Sequence, residues 1–355
     1  MIPQAALNVA AIPGIATAPT FASAALAAFC KASGDTLRLD ILRALSLDSF
    51  GVLELSQIFA MPQSGMSHHL KILAKAGLVT TRREGNSIFY RRVPESAAPE
   101  LASLHQALLG SIDQLSLSAE VNTRIAAIQA ERARRSQLFF AENAGRFREQ
   151  QELIAAFEVY GAQAAEMLSQ CLPQGGHLAL EVGPGEGAFL SELATRFARV
   201  IALDNSQAML ERSRAFATSH QLTNIEFIHG DTTLPALREL QADCAVLNMV
   251  LHHVPSPAQI FGDLALALKP GGSLLISELC RHDQLWAESA CGDLWLGFEP
   301  ADLTQWANAA GFEAGRAVYI AQRNGFGVQI RQFIRSSNTA TLSNTLVSNI
   351  QAKGN

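Results

Sequence analysis

The chain has 355 residues, nearly half of them apolar and 17% charged, with a formal net charge of −5. Such a length exceeds the usual single domain and predicts two, while weak acidity excludes nothing about nucleic acid, since DNA contact needs only a local basic patch. Cys30, Cys171, Cys244, Cys280 and Cys291 are scattered with no Cys-x-x-Cys pair, which argues against a disulfide framework and for reduced thiols in a cytoplasmic protein.

The first basic residue is Lys31, so the charged start of a secretory leader is missing; Pro13, Gly14 and Pro19 also interrupt the alanine-rich run that would have to cross a membrane. Residues 1–20 are expected to form a disordered arm, with no membrane association. Residues 21–48 read as helical, with Leu37, Ile41, Leu42 and Leu45 on one face. A short helix follows at about Val52–Phe59. Pro62 is placed to open a further helix running to Ala76 and stopping at Gly77. Val79–Arg82 and Ser87–Val93 read as strands around Glu84-Gly85-Asn86, which carries turn chemistry. Together 21–95 make a winged helix-turn-helix domain. Residues 96–137 supply dimer and connector helices, and the charged run Glu131–Arg135 is expected to face solvent.

From His177 the texture changes. Short apolar runs at His177–Val182, Val200–Leu203, Ile225–Ile228, Asp243–Met249 and Ser273–Ser277 alternate with helical stretches, which predicts a parallel, doubly wound α/β sheet. Ala317–Ala321 and Gly327–Phe333 flank Asn324-Gly325, a hairpin signal that would add an antiparallel edge. This second domain spans 138–335; residues 336–355, rich in Ser, Asn and Thr, are expected to be a disordered tail.

The helix after Pro62 has two faces. Met66, Leu70 and Leu73 point one way, and Ser64, Ser67, His68, Lys71 and Lys75 the other. One side can dock on a domain while the other reaches base edges and phosphates. Arg82, Arg83, Arg91 and Arg92 follow in the wing, and Glu84 is the sole acid between Met61 and Val93. An ordinary amphipathic helix with a solvated face would look similar by itself; the wing decides for DNA. Lys31–Arg38, Pro62–Leu73 and Ala76–Val79 resemble the ArsR-type winged-helix repressors. The resemblance implies a homodimer on a palindromic double-stranded operator, with Gln63, Ser64, Ser67 and His68 as recognition-helix contacts and Arg82, Arg83 and Tyr90 as wing contacts. Many such repressors sense metals through paired thiols in the helix before the turn. Here that helix reads Glu54-Leu55-Ser56-Gln57-Ile58, and residues 97–150 offer only His105, more typical of a solvated side chain than a ligand, so no metal is expected.

Leu178–Val182 runs into Gly183-Pro184-Gly185-Glu186-Gly187, a strand-to-glycine turn that brings bare backbone against a ligand. Asp204, ending the next strand, suits ribose hydroxyls, although Gly183, Gly185 and Ala188 also satisfy a nicotinamide fingerprint. With Glu181 inside the strand end, Gly230-Asp231 after the third strand and Leu268–Gly272 before the fifth, residues 138–335 resemble the class I S-adenosylmethionine-dependent methyltransferases. That resemblance implies Glu181, Gly183, Gly185 and Gly187 at the methionyl part, Asp204 at the ribose and Asp231 at the adenine, with Asn205, Thr232 and Asn248 as further cofactor-binding residues, Asn248 in the fourth-strand motif beside the reacting methyl. His252, His253 and Glu278 are candidate catalytic groups, each with packing as its plainer role. Trp286, Trp295 and Phe298 either line an acceptor pocket or close the core. Such two-part chains resemble bacterial regulators of the methionine and S-adenosylmethionine cycle, with S-adenosylhomocysteine or S-adenosylmethionine as effector. The alternatives are a working small-molecule methyltransferase with an autoregulatory DNA-binding half, or a nicotinamide-linked oxidoreductase.

Overall fold

The computed structural model describes residues 23–337 except 47, 85, 86 and 95. The expected arm at 1–20, most of the expected tail and the turn residues Gly85 and Asn86 lie outside the described residues.

The first part comprises α1 (Ser23–Ser33), α2 (Thr36–Ala44), β1 (Phe50–Gly51), α3 (Val52–Ile58), α4 (Gln63–Lys75), β2 (Val79–Glu84) and β3 (Ser87–Arg92). The helical stretch predicted over 21–48 is broken at Asp35. Its extended backbone and a carboxylate that accepts the Arg38 N–H at 3.0 Å start α2 anew. Pro62 caps α4 from outside instead of opening it, and Gly77, at φ 71°, ends the helix in the left-handed region that glycine enters without strain. β1, too short to show alternation in sequence, adds to β3 with Phe50 opposite Tyr90, giving the antiparallel order β1-β3-β2. Ile41, Leu55, Met66, Leu70 and Leu73 form the core beneath.

Helices α5 (Ala102–Ile112), α6 (Ala119–Asn143), α7 (Phe147–Ala155) and α8 (Phe157–Cys171) connect the two sheets. Two expectations are corrected here. His105 is 1% exposed, edge-on to Phe29, and burial holds its imidazole below its ordinary pKa; a core histidine stands where a solvated one was expected. Arg132, inside the charged run expected to be solvated, is buried, whereas Glu131, Arg134 and Arg135 stay exposed.

The second part runs β4 (Gly176–Val182), α9 (Leu190–Arg196), β5 (Phe197–Asp204), α10 (Gln207–Ser219), β6 (Ile225–His229), β7 (Ala242–Asn248), α11 (Pro257–Ala267), β8 (Leu268–Leu279), α12 (Trp286–Cys291), α13 (Pro300–Ala309), β9 (Phe312–Ala321) and β10 (Gly327–Arg335). Its seven-stranded sheet has the order β6-β5-β4-β7-β8-β10-β9, parallel from β6 to β8, with β10 antiparallel to both neighbours. Buried on both faces, β4 and β7 are nearly continuous apolar runs, and separate apolar layers pack above and below them. The chain leaves β4 for one side and returns at β7 on the other. That reversal opens a crevice at the carboxyl ends of the strands, where ligands of doubly wound sheets bind.

Candidate functional site

Two candidate surfaces emerge. On α4, Gln63, Ser64, Ser67, His68 and Lys71 are all exposed, while Met66, Leu70 and Leu73 are fully buried. His69 is half-buried with Nδ1 3.9 Å from Asp35 Oδ1, so the neighbouring imidazoles serve different faces.

The wing departs from expectation. Arg82 is 5% exposed: its guanidinium donates to Gly297 O, lies 3.8 Å from Asp302 Oδ2 and covers the Phe298 ring at 5.1 Å. Arg91 pairs with the same Asp302 carboxylate, and Arg92 holds Asp113 with two bonds of 2.6 and 3.0 Å. The expected DNA contact at Arg82 is therefore corrected, because in this arrangement its charge is taken up by Gly297, Phe298 and Asp302 of the second part. Arg83 remains exposed, and Tyr90 is half-buried against the helix-turn-helix core.

The second surface is a cavity of about 630 Å³ at the strand ends, within the size range of small-molecule sites. Every expected cofactor residue except Gly187 lines it: Glu181, Gly183, Gly185, Asp204, Asn205, Asp231, Thr232 and Asn248. Gly183 sits at φ 66°, where a Cβ would strike Val250 at 2.7 Å, so side-chain-free backbone forms the cavity floor. Gly187, at φ 91°, is instead packed tightly against Ser213 and Leu190. Asp204 Oδ1 accepts the Ser206 N–H at 2.8 Å; Asp231 Oδ1 accepts from Thr233 N and Oγ1 at 2.9 and 2.5 Å. These bonds aim both carboxylates and leave lone pairs for a ligand. Thr232 spends its own hydroxyl proton on Asp263, 2.7 Å away.

Polar atoms at the floor are left unsatisfied. Glu181 Oε2 and both side-chain polar atoms of Asn248 are buried without a hydrogen bond of normal geometry among the described residues, although Asn248 lies near enough to Glu181 to temper its pKa. Burial raises the Glu181 carboxyl to about 8 and Asp204 to about 6. Glycine backbone beside orphaned donors and acceptors, with carboxylates at successive strand ends, fits an S-adenosyl ligand.

The roof had no sequence signal. Helix α6 contributes Ala133, Ser136 and Phe140, α7 contributes Arg148, and α8 contributes Tyr160, a buried phenol whose pKa burial drives upward. Arg148 on α7 and Arg212 on α10 both reach Glu186 of the glycine turn, at 3.3 and 2.7 Å.

His252, His253 and Glu278 are brought together. Glu278 accepts from His252 Nδ1 at 2.6 Å, and this carboxylate together with Asp293 outweighs burial to raise the His252 pKa. His253, held below its ordinary value by burial, lines the cavity under the edge of Phe140. Asp293 completes the group and was missed, because nothing near it in sequence marks it. Trp295 and Phe298 close the core beside Phe89 and Arg82, away from the cavity, while Trp286 is half-exposed against Phe326.

Comparison with known protein families agrees with these two domain types. A helix-turn-helix domain family matches residues 34–82, and a methyltransferase domain family matches residues 180–276. The chain thus joins a helix-turn-helix domain, a type that suggests DNA binding, to a methyltransferase domain, a type that suggests S-adenosylmethionine binding. Among curated relatives, an uncharacterized 37.1 kDa protein in transposon Tn4556 of Streptomyces fradiae is 37% identical over 106 residues, or 29% of this chain and 30% of that protein. A ubiquinone biosynthesis O-methyltransferase of Coxiella burnetii is 28% identical over 145 residues, 37% of this chain and 62% of that protein. The chain thus spans less than two-thirds of either. Among solved structures, a SAM-dependent methyltransferase from Aquifex aeolicus is 17% identical with a TM-score of 0.43, covering 52% of this chain and 97% of its own. The N-methyltransferase NodS of Bradyrhizobium japonicum, in complex with S-adenosyl-L-homocysteine, is 19% identical with a TM-score of 0.40, covering 49% and 86%.

Proposed function

We propose that this chain is a homodimeric transcriptional repressor that reads a palindromic operator and takes S-adenosylhomocysteine or S-adenosylmethionine as its effector, controlling genes of the methionine and S-adenosylmethionine cycle. One observation carries the reading: α6 is at once a wall of the ligand cavity and a strut into the DNA-binding part. Its Phe140 and Ser136 face the cavity, while Val121, Ile125 and Ile128 pack on the helix-turn-helix core. Between them Arg132 binds Glu54 with two bonds of 3.0 and 2.7 Å, Ser49 O at 2.9 Å and Pro255 O, on the cavity rim, at 3.1 Å. A ligand that shifts α6 must disturb this one side chain, and with it both ends of the molecule.

Coupling requires that the ligand bind the two DNA-affinity states unequally, by about 5–150-fold in typical cases. The test is an operator-binding isotherm on the full chain with and without S-adenosylhomocysteine, alongside calorimetry of the ligand. The expected result is a shift in operator affinity within that range, abolished by Asp204→Ala with ligand-free operator binding retained. Tight ligand binding that leaves the operator isotherm unmoved overturns the sensor reading.

A second reading, a working methyltransferase with an autoregulatory DNA-binding half, is favoured by His253. It lies at the cavity wall with Nδ1 3.3 Å from Gly292 O, and burial keeps the ring neutral, as a general base must be. Transfer of a labelled methyl group from S-adenosylmethionine to a small-molecule acceptor, lost in His253→Ala, would establish it.

A further inference from the structure

The group behind the cavity wall has the makings of a metal site. His252 lies in the turn after β7, Glu278 near the end of β8, and Asp293 in the loop between α12 and α13. Glu278 fixes the first imidazole: besides Nδ1 at 2.6 Å it receives the His252 backbone N–H at 3.3 Å and that of Leu279 at 2.6 Å. With Nδ1 so engaged, His252 Nε2 faces Asp293 Oδ1 at 3.9 Å. The same oxygen lies 3.7 Å from His253 Nδ1. One ligand-type atom from each of His252, His253 and Asp293 falls within 4.8 Å of the other two.

Both carboxylate side chains are wholly buried beside the two imidazoles. We infer that His252, His253 and Asp293 bind a divalent transition-metal cation, two imidazoles and one carboxylate being a donor set that zinc and non-haem iron(II) both use, with Glu278 orienting His252 from the outer shell. Zinc bonds of about 2.0–2.2 Å at tetrahedral angles place donors roughly 3.3–3.5 Å apart. The two spacings to Asp293 Oδ1, 3.7 and 3.9 Å, need only a few tenths of an ångström of contraction, and the third lies within 4.8 Å. The competing contact from His253 Nδ1 to Gly292 O, at 3.3 Å, is long and easily surrendered. Three protein donors leave a further coordination position for water or a ligand oxygen. His253 belongs to the cavity wall, so the cation would stand directly behind the S-adenosyl site.

The loop carrying Asp293 is also held by the connector. Gly292, at φ 76°, sits so close to Phe139 of α6 that a Cβ would lie 2.4 Å from its ring. The His252 carbonyl accepts from Leu294 N at 2.9 Å and Trp295 N at 3.1 Å, pinning the loop from the other side. These contacts preassemble the donors.

The inference does not depend on DNA binding, and its test avoids it. Full-length protein is stripped with a chelator, loaded with Zn²⁺ alone, desalted and analysed for metal. About one zinc per chain is expected in the wild type, lost in His253→Ala and in Asp293→Asn. Glu278→Gln should weaken zinc by about 10–100-fold in competition with a chromophoric chelator. Substitution with Co²⁺ should give d–d bands without thiolate charge transfer. Circular dichroism reports which variants fold; should Asp293→Asn fail, His253→Ala, on the cavity wall, carries the comparison. Wild type that retains no zinc overturns the inference, leaving an imidazolium at His252 as the balancing charge. Equal retention by the folded variants, or a thiolate band that places the metal on a cysteine such as the neighbouring Cys291, overturns it as well.

Discussion

At the scale of single residues, the site is legible in its chemistry but not in its energetics. Glu181 is identifiable from its place at a strand end before a glycine turn. That it lies wholly out of water, with its carboxyl raised from the ordinary 4.5 to about 8, comes only from the packing around it. The sign of the consequence is fixed. Below about 4.5 the folded and unfolded chains both hold the proton; between 4.5 and about 8 the unfolded chain releases it while the folded one keeps it, so stability falls as pH rises and levels off above about 8. The ligand-free Glu181→Gln variant should gain stability over the wild type across this window, by about 1.4 kcal/mol per pH unit at most. Urea midpoints of the two proteins measured at both ends of the window check this; parallel pH profiles would show that Glu181 is not so raised. Arg132 is the opposite case. A residue in the middle of a charged run gives no local sign that Glu54, Ser49 and Pro255 will enclose it.

At the scale of elements, the recognition helix could be read almost whole, because amphipathic spacing needs only the chain's own periodicity. Lys71→Ala should weaken operator binding, with lost discrimination between operator and unrelated DNA if the side chain reads a base edge. Arg83→Ala, on the exposed outer side of the wing, should weaken all DNA similarly and lower the salt slope by about one unit. Arg82→Ala is expected to act differently, by loosening the contact with Gly297, Asp302 and Phe298. Titrations of the three variants at several salt concentrations separate these outcomes; an Arg82 variant with a lowered salt slope and unchanged stability would return that residue to the DNA surface. The strand β1 was not legible, since two residues cannot display a period.

For the whole molecule, the decisive feature is that the wing packs on α13 and the loop leading into it. Asp302, 3% exposed, receives both Arg82 and Arg91. Neutralising it leaves a buried guanidinium without its anion, a situation that typically costs about 3–5 kcal/mol unless the contact opens to water. Opening is the cheaper response at an interface. Asp302→Asn should therefore release the wing, raise ligand-free affinity for DNA and reduce the operator response to S-adenosylhomocysteine; because coupling is reciprocal, calorimetric ligand affinity should shift with it, although Asp302 does not line the cavity. Unchanged DNA affinity in this variant would mean that the docked wing does not limit DNA binding.

By itself the sequence determined what short-range physics governs: the two-faced α4, the glycine turn after β4, the acids ending successive strands, and the Asn324-Gly325 hairpin. Each depends on residues a few places apart, where backbone geometry and side-chain periodicity act directly. Tertiary structure decided which charges meet. The Arg82–Gly297 bond closes a separation of 215 residues, and the His252–Glu278 pair is completed by Asp293 from a loop with no motif of its own. It also decided that α6 roofs the ligand cavity while Arg132 braces the DNA-binding core. An ion pair is specified by where two chain segments come to rest, and burial, which gives it consequence, belongs to the packed whole rather than to either segment.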